Sequence, residues 1–143
     1  MGEPVVMCLR TDGAAWGNPG PAGIGVVLQD DNGKTIEQHK ESIGIATNNQ
    51  AEYRALIKGL QTALRHRPNL LHVLLDSELL VKQLNGQYRV RSPHIRDLHT
   101  QAVELIRKFE RVEVEWVSRE WNRAADGLAT QAVEEAQRAR RVL

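Results

Sequence analysis

The sequence predicts an α/β fold in which helices cover the faces of a mixed β-sheet. Three strand-like stretches come first, within residues 5–43, and helical and strand periodicities then alternate toward the end of the chain. The length of 143 residues is that of an ordinary single domain. We therefore expect one domain over residues 1–137, followed by a basic tail over residues 138–143.

The first half of the chain carries the strand signals. Residues 5–9 form a short apolar run, typical of a strand covered on both faces, and we expect this strand to end at residues 10–13. A loop rich in glycine and proline at residues 17–21 leads to a second apolar strand at residues 24–28. Residues 35–43 are mostly polar, which predicts a charged edge strand that does not pair with other chains.

The second half alternates helices and strands. Apolar residues between Asn49 and His66 recur at spacings of three and four, which predicts an amphipathic helix that Thr47 and Asn48 can cap. Basic residues 138–141 are expected to fray at the chain end. The elements expected in between are a strand at 70–75, a helix at 77–84, a helix at 92–109 that begins with Ser92-Pro93, a strand at 112–117 and a helix at 125–136.

Composition narrows the function classes only in part. The formal net charge is +1, so attraction to a polyanion must come from local patches rather than from the whole molecule. Cys8 is the single cysteine, which excludes an internal disulfide, and its apolar neighbours suggest a small buried side chain. The sequence shows no signal-peptide pattern and no run of eighteen apolar residues, so we expect a cytoplasmic protein without a membrane segment.

Four acidic residues fall at the predicted edges of elements. Asp12 and Asp76 follow the first and fourth strands, while Glu52 and Asp126 lie in the first turns of the first and last long helices. Carboxylates that converge beyond the ends of neighbouring strands would repel one another, and a hard divalent ion such as Mg²⁺ or Mn²⁺ relieves that repulsion. The alternative is that they are favourable helix-terminal charges and loop-entry residues.

Sequence blocks around these acids carry a family resemblance. They read TDGAA at 11–15, GNPGPAG at 17–23, TNNQAE at 47–52, LDS at 75–77 and NRAADGLA at 122–129. In this order they resemble type 1 ribonuclease H, and the similarity runs from about residue 5 to residue 136. The resemblance implies a ribonuclease H domain over residues 1–137, built on a five-stranded mixed sheet flanked by helices.

The resemblance also implies a chemistry. Asp12, Glu52, Asp76 and Asp126 match the four metal-binding carboxylates of the family. The expected activity is endonucleolytic hydrolysis of the RNA strand of RNA/DNA hybrids by two Mg²⁺ ions, with Mn²⁺ as a possible substitute, giving 5′-phosphate and 3′-hydroxyl ends. We expect a monomer without an obligate protein partner.

Short polar residues match the family positions that touch the hybrid. These residues are Asn18, Thr47, Asn48 and Asn49. Such side chains can donate to phosphates or contact 2′-hydroxyl groups across a wide minor groove, which distinguishes RNA from DNA. The residues at 47–49 can cap the helix at the same time, and a pure turn role for Asn18 stays equally open.

Three departures from the family pattern stand out. Glu78 replaces a glutamine that contacts bases in well-known members, and it is either a helix N-terminal charge or an auxiliary metal contact. Arg119 stands where many members carry a histidine that assists product release; it is either a catalytic cation or an ordinary exposed arginine. The chain also lacks the basic insertion, or handle, between Leu84 and Val112.

The missing handle predicts a different mode of hybrid binding. Tyr88 could stack on a DNA sugar or base, or could instead pack on the domain. We expect weaker or more salt-sensitive binding than in handle-bearing relatives, with the arginines of the tail compensating. The five histidines show no metal-ligand spacing with one another or with Cys8, and we expect them to be surface or packing residues.

Two other functions compete with hybrid cleavage. One is a catalytically weak module that binds hybrids or structured RNA, which the four acids disfavour. The other is a strand-transfer or resolvase-like nuclease, because related folds share acidic metal clusters. The TNN segment at residues 47–49 and the compact length favour the ribonuclease.

Overall fold

The computed structural model describes residues 2–142, which form a five-stranded sheet with four helices. The strands are β1 (Val6–Ala15), β2 (Gly20–Asp30), β3 (Thr35–Ala46), β4 (Leu70–Leu75) and β5 (Val112–Trp116). The helices are α1 (Asn48–His66), α2 (Glu78–Leu84), α3 (Pro93–Ile106) and α4 (Arg123–Val142), with a 3-10 turn at Arg119–Trp121 before α4.

The sheet is mixed and has the order β3-β2-β1-β4-β5. Strands β1, β2 and β3 pair antiparallel through two hairpin connections, whereas β4 pairs parallel with both β1 and β5. The polar strand β3 lies at one edge of the sheet, as its charged residues predict. The predicted α/β class, with a five-stranded mixed sheet flanked by helices, is confirmed.

Helices cover both faces of the sheet but not equally. On one face, α1, α2 and α3 enclose the main core, in which Leu9, Tyr53 and Leu56 are fully buried. On the other face, α4 packs closely on β2, because β2 presents glycines there. A Cβ atom at Gly23 would lie 2.6 Å from the Ala129 carbonyl oxygen, and one at Gly25 would collide with the carbonyl of Ala125. None of the helices within residues 2–142 has an apolar stretch that could cross a membrane.

Strand β1 is longer than the sequence predicts. Its antiparallel pairing with β2 continues to the pair of Ala15 with Ala22, whereas its parallel pairing with β4 stops at Arg10. Asp12 therefore lies inside β1 rather than at its end, two residues beyond the last parallel pair. The two neighbours of β1 separate at this point, and the separation leaves space beside Asp12.

Two other boundaries differ from the prediction. Helix α3 ends at Ile106, and Phe109 packs against the core from the turn that follows. The expected frayed end is helical, since α4 continues through the basic residues 138–141; Leu143, the end of the predicted tail, lies outside the described residues. An ion pair from Arg138 to Glu134, four residues earlier, and the favourable placement of cations at a helix C-terminus stabilise these last turns.

Candidate active site

Four acidic side chains line one open cleft of about 410 Å³ at the carboxyl ends of β1 and β4. The predicted convergence of Asp12, Glu52, Asp76 and Asp126 is thus present in the structure. The other residues that line this cleft are Gly13, Ala14, Ala15, Asn48, Asn49, Ser77 and Arg119.

Gly13 brings α1 and β1 together. A Cβ atom there would collide with the backbone carbonyl of Ala51, so only glycine lets the helix approach the strand this closely. The Gly13 amide donates to Oε1 of Glu52 at 2.9 Å and to Oδ1 of Asp12 at 3.1 Å. One backbone donor therefore orients two carboxylates toward the same cleft.

The start of α1 is fixed by a full capping box. The Thr47 hydroxyl accepts from the Gln50 amide at 3.1 Å, and the Gln50 side chain accepts from the Thr47 amide at 2.8 Å. Glu52 then falls in the second turn, not in the first as predicted, and no acidic residue lies in the first turn of α1. The alternative that Glu52 is a helix N-terminal charge loses its basis, because dipole stabilisation falls off within the first turn.

Asp76 directly follows β4 and is held from two sides. The Asn122 side-chain amide donates to Oδ2 of Asp76 at 3.2 Å and to the Thr11 carbonyl at 2.9 Å, and the Trp116 indole donates to the Asp76 carbonyl at 3.2 Å. Asn122 is fully buried, and its carbonyl accepts the Asp126 amide as α4 begins. The sequence interpretation assigned no role to Asn122, although it is the first residue of the NRAADGLA block.

The electrostatics of the cleft favour a cation. Burial raises the pKa of Asp12, and a hydrogen bond with Glu52 and the charges of Glu52 and Asp76 raise it further. Burial also raises the pKa of Glu52, although the hydrogen bonds with Asp12 and the Gly13 amide lower it in part and the charge of Arg119 lowers it less strongly. Carboxylate oxygens of Asp12, Glu52 and Asp76 all lie within 4.8 Å of one another. Such an all-oxygen donor set fits Mg²⁺ or Mn²⁺.

The other predicted site residues divide into three groups. Arg119, Asn48 and Asn49 line the cleft. Asn18 lies one contact away, where its side-chain oxygen accepts from the Asn48 amide at 3.0 Å, and the Thr47 hydroxyl is engaged in the cap. Tyr88 does not line the cleft.

The loop after α2 carries Tyr88 on the surface. Its side chain is half-exposed, and the Lys82 ammonium lies 4.9 Å from the ring centroid and 3.3 Å from the hydroxyl. Lys82 also pairs with Glu78 at 3.0 Å, and Glu78 is the first residue of α2. This placement agrees with Glu78 as a helix-terminal charge, because its carboxylate pairs away from the acidic cleft.

The acidic cleft is smaller than another cavity within residues 2–142. A cavity of about 900 Å³ lies near the opposite end of α1, where its lining includes Arg65, Arg67, Lys108 and Phe109. None of the four converging acids lines it.

Comparisons with known families and proteins identify relatives of this chain. The family described as "Reverse transcriptase-like" matches residues 10–132. The Mycobacterium tuberculosis "Bifunctional protein Rv2228c" is 43% identical over 129 residues, which are 90% of this chain and 35% of that protein. The chain thus spans about a third of the length of that relative. A "Ribonuclease H" of Chromohalobacter salexigens is 31% identical over 98% of this chain and 92% of its own length.

Solved structures show the same likeness. The N-terminal RNase H domain of Rv2228c has a TM-score of 0.91 at 40% identity, covering 94% of this chain and 98% of that one. LC11-RNase H1, solved in complex with an RNA/DNA hybrid, has a TM-score of 0.88 at 35% identity, covering 92% and 99%. The family match, the relative of nearly equal length and the common fold show that this chain belongs to the ribonuclease H family of hydrolases.

Proposed function

We propose that this chain is an endonuclease that hydrolyses the RNA strand of RNA/DNA hybrids with divalent metal ions. The observation that carries the proposal is the convergence of Asp12, Glu52, Asp76 and Asp126 in an open cleft that Asn48 and Asn49 also line. The hybrid-bound state of LC11-RNase H1, a protein of the same fold, supports this choice of substrate.

The four carboxylates would hold the metal. We propose two Mg²⁺ ions, with Mn²⁺ as a substitute. When bound there, such ions lower the pKa of an attacking water and offset the charge on the departing 3′ oxygen, so the products carry 5′-phosphate and 3′-hydroxyl ends. Burial is the main reason that the pKa values of Asp12 and Glu52 are raised, and the charge of Asp76 raises both further. Bound cations would offset that charge.

The N-terminal segment of α1 would bind the sugar-phosphate backbone. Asn48 and Asn49 present amide groups beside the acids, and Asn18 fixes this segment through the Asn48 backbone. Amide donors can contact both a phosphate oxygen and a 2′-hydroxyl, and the 2′-hydroxyl separates RNA from DNA. Thr47 contributes by capping the helix that carries these residues.

Arg119 would stabilise charge at the edge of the cleft. Its guanidinium acts on Glu52 and lies in the 3-10 turn that precedes α4. An arginine stays protonated and cannot carry protons between groups at neutral pH. Arg119 would therefore bind the scissile or leaving phosphate but would not act as an acid or a base.

Tyr88 and Lys82 would form a small binding surface outside the cleft. The exposed ring offers a face for a base or a sugar, and the adjacent ammonium offers a charge for a phosphate. This pair would replace part of the missing basic handle. We expect hybrid binding to be weaker than in handle-bearing relatives, because few cations contact the phosphates.

Cleavage assays on three substrates test the proposal. Labelled RNA/DNA hybrid, double-stranded RNA and double-stranded DNA are incubated with Mg²⁺, with and without a chelator, using the wild type and Asp76→Asn. We expect cleavage of the hybrid RNA strand alone, with its loss on chelation and in the variant. Hybrid binding without cleavage would identify a binding module, and cleavage of DNA would identify a strand-transfer or resolvase-like nuclease.

The proposal includes two statements about the state of the protein. We propose that it acts as a monomer in the cytoplasm, where one cysteine and no internal disulfide fit a reducing environment. Gel filtration at several concentrations and cell fractionation test these statements. A concentration-independent dimer, or recovery with the membrane fraction, would contradict them.

A further inference from the structure

Half of one sheet face is left open by α4. This helix packs on the glycines of β2, on the face toward which the Asp12 side chain is directed. Strands β4 and β5 lie on the far side of β1, and their side chains on this face are half-buried or exposed. We call the open region the β4–β5 face and define it by His72, Leu74, Glu113 and Glu115.

The strand register aligns polar groups on this face. His72 pairs with Glu113 on β5, and on its other side with Cys8 on β1; Leu74 pairs with Glu115 in the next row of the same face. Side chains of directly paired residues lie on the same side of a sheet, and residues two apart on one strand also share a face. His72, Glu113 and Glu115 thus project from rigid neighbouring strands into one region.

The three side chains bring ligand atoms close together. One imidazole nitrogen and one carboxylate oxygen from each glutamate all lie within 4.8 Å of one another. The distance from His72 Nδ1 to Glu113 Oε1 is 4.0 Å, and the Arg111 guanidinium lies 3.8 Å from the other oxygen of Glu113. Among residues 2–142, the His72 ring makes no hydrogen bond within 3.5 Å and Glu115 makes no ion pair within 4.0 Å.

We propose that His72, Glu113 and Glu115 form a second metal site, distinct from the acidic cleft, for a borderline divalent ion of which Zn²⁺ is the representative. The ligand chemistry separates the two sites. The cleft offers carboxylate oxygens alone, which suit Mg²⁺, whereas one imidazole with two carboxylates suits Zn²⁺ and similar transition ions. The imidazole also distinguishes this group from a cluster of exposed acids. For His72, this proposal goes beyond the expectation that all five histidines are surface or packing residues.

A metal ion there would connect the edge strand to its neighbour. His72 belongs to β4, and both glutamates belong to β5, which has no further strand beyond it. His72 precedes Asp76 by four residues, or about 13 Å along a strand. Strand β5 ends at Trp116, whose indole bonds to the Asp76 carbonyl, so the ion would stabilise the strand that supports the catalytic cleft.

Zinc binding in a background with an impaired catalytic cluster tests the proposal. The background is Asp12→Asn with Asp76→Asn, and Zn²⁺ bound per chain is measured by equilibrium dialysis and elemental analysis. We expect His72→Ala or Glu113→Gln to remove one equivalent of Zn²⁺, and Glu115→Gln to weaken its binding by at least about tenfold. The result does not depend on nuclease activity.

Matched controls define the outcomes. His94→Ala removes an exposed histidine from α3, and Glu104→Gln removes an exposed glutamate from the same helix. Both variants should still bind one equivalent of Zn²⁺. Cys8→Ser should also keep it, because the proposed donors are unchanged. The proposal fails if the background binds no Zn²⁺, if His72→Ala binds as much as His94→Ala, or if Cys8→Ser loses the equivalent.

A second measurement covers a variant that does not fold. In the background protein with His72 intact, NMR signals of the histidine rings are followed during Zn²⁺ titration. We expect the His72 signals to shift or broaden at the first equivalent while those of His94 stay unchanged. Equal responses of the two rings, or no response of His72, would contradict the site.

Discussion

The two ends of helix α1 lie beside carboxylates in opposite electrostatic surroundings. Near its N-terminus, Glu52 lies beside Asp12 and Asp76, and the acids repel one another. Toward its C-terminal end, Glu37 on β3 accepts hydrogen bonds from three basic side chains, those of His39, Arg65 and His66. Negative charge is therefore in excess near the N-terminus of the helix, whereas near its C-terminus basic side chains neutralise the charge of Glu37.

The pKa values express the difference. Hydrogen bonds from His66 and His39 are the main reason that the pKa of Glu37 is lowered to about 2, whereas burial and neighbouring acids raise the pKa of Asp12. A carboxylate that is paired with basic side chains stabilises the fold without a bound ligand. An uncompensated one costs stability and creates affinity for a cation, so the same residue type serves structure at one end and ligand binding at the other.

Asp12→Asn should have the largest effect and should separate activity from stability. Metal-assisted catalysis accounts for several kcal/mol of transition-state stabilisation, so losing one of the proposed metal-binding carboxylates should lower turnover on the hybrid by roughly a thousandfold. The same change should raise the thermal unfolding temperature at pH 7 without divalent ions. Asp31→Asn, in an exposed turn, is the control and should change neither quantity.

The pH dependence of that stabilisation has a definite sign. A carboxyl whose folded-state pKa is raised above its ordinary 3.8 contributes stability below about pH 4, and the contribution is lost as pH rises. The advantage of Asp12→Asn should therefore grow from pH 4 to pH 7, and Mg²⁺ should reduce it by stabilising the wild type. An advantage that is constant with pH would contradict the raised pKa of Asp12.

Arg119→Ala should have the next largest effect, because it removes a cation beside the uncompensated acids. Loss of one charged hydrogen bond to phosphate corresponds to about 1.4 kcal/mol, or roughly tenfold in kcat/KM. Arg119→Lys should recover part of the loss. The matched control is Arg123→Ala, which removes an exposed arginine from the start of α4. Equal kinetics for the two alanine variants would show that Arg119 has no part in catalysis or substrate binding.

Glu37→Gln should change stability and leave hybrid cleavage intact. A partly exposed ion-pair network of this kind contributes about 1 kcal/mol at pH 7. Because the folded-state pKa is lowered, this stability is present above about pH 4.5 and is lost as pH falls toward 2. Denaturant unfolding at pH 7 and pH 3 checks this, with Glu41→Gln on the same strand as control; a deficit that does not shrink at pH 3 would contradict it.

Charges that are fully solvated should matter least. Arg138, Arg140 and Arg141 lie on the last turns of α4, and Arg140 is about 20 Å along the helix from Asp126. Replacing the three with glutamine should weaken hybrid binding by no more than about twofold, measured at low salt where such charges count most. A larger loss would support the expectation that the tail arginines compensate for the missing handle.

The sequence predicts much of this molecule because local signals agree with the fold. Helical periodicity, Ser92-Pro93 and the blocks around Asp12, Glu52 and Asp126 identify the element order and the acids. The rest depends on long-range pairing. The extension of β1 requires β2 as a partner, and the row of His72 beside Glu113 exists only in the β4–β5 register.

Buried polar bridges are also hidden from periodicity. Asn122 follows a polar turn and carries no apolar signal, yet its amide connects the Thr11 carbonyl to the Asp76 carboxylate. Glu52 falls in the second turn of α1 rather than the first, because the helix begins at Asn48, one residue before the predicted start.

The contact between β2 and α4 fixes the distance of α4 from the sheet, and this distance can be changed by mutation. Gly23 and Gly25 meet the backbone of Ala125 and Ala129 without a side chain between them, so the helix axis stands as near the sheet as backbone atoms permit. Asp126 lies in the first turn of α4, so a shift of the helix also shifts this carboxylate. A single methyl group added to β2 would therefore displace the Asp126 carboxylate from outside the cleft. These two glycines offer a means of changing the spacing of the four carboxylates while every acidic residue is retained.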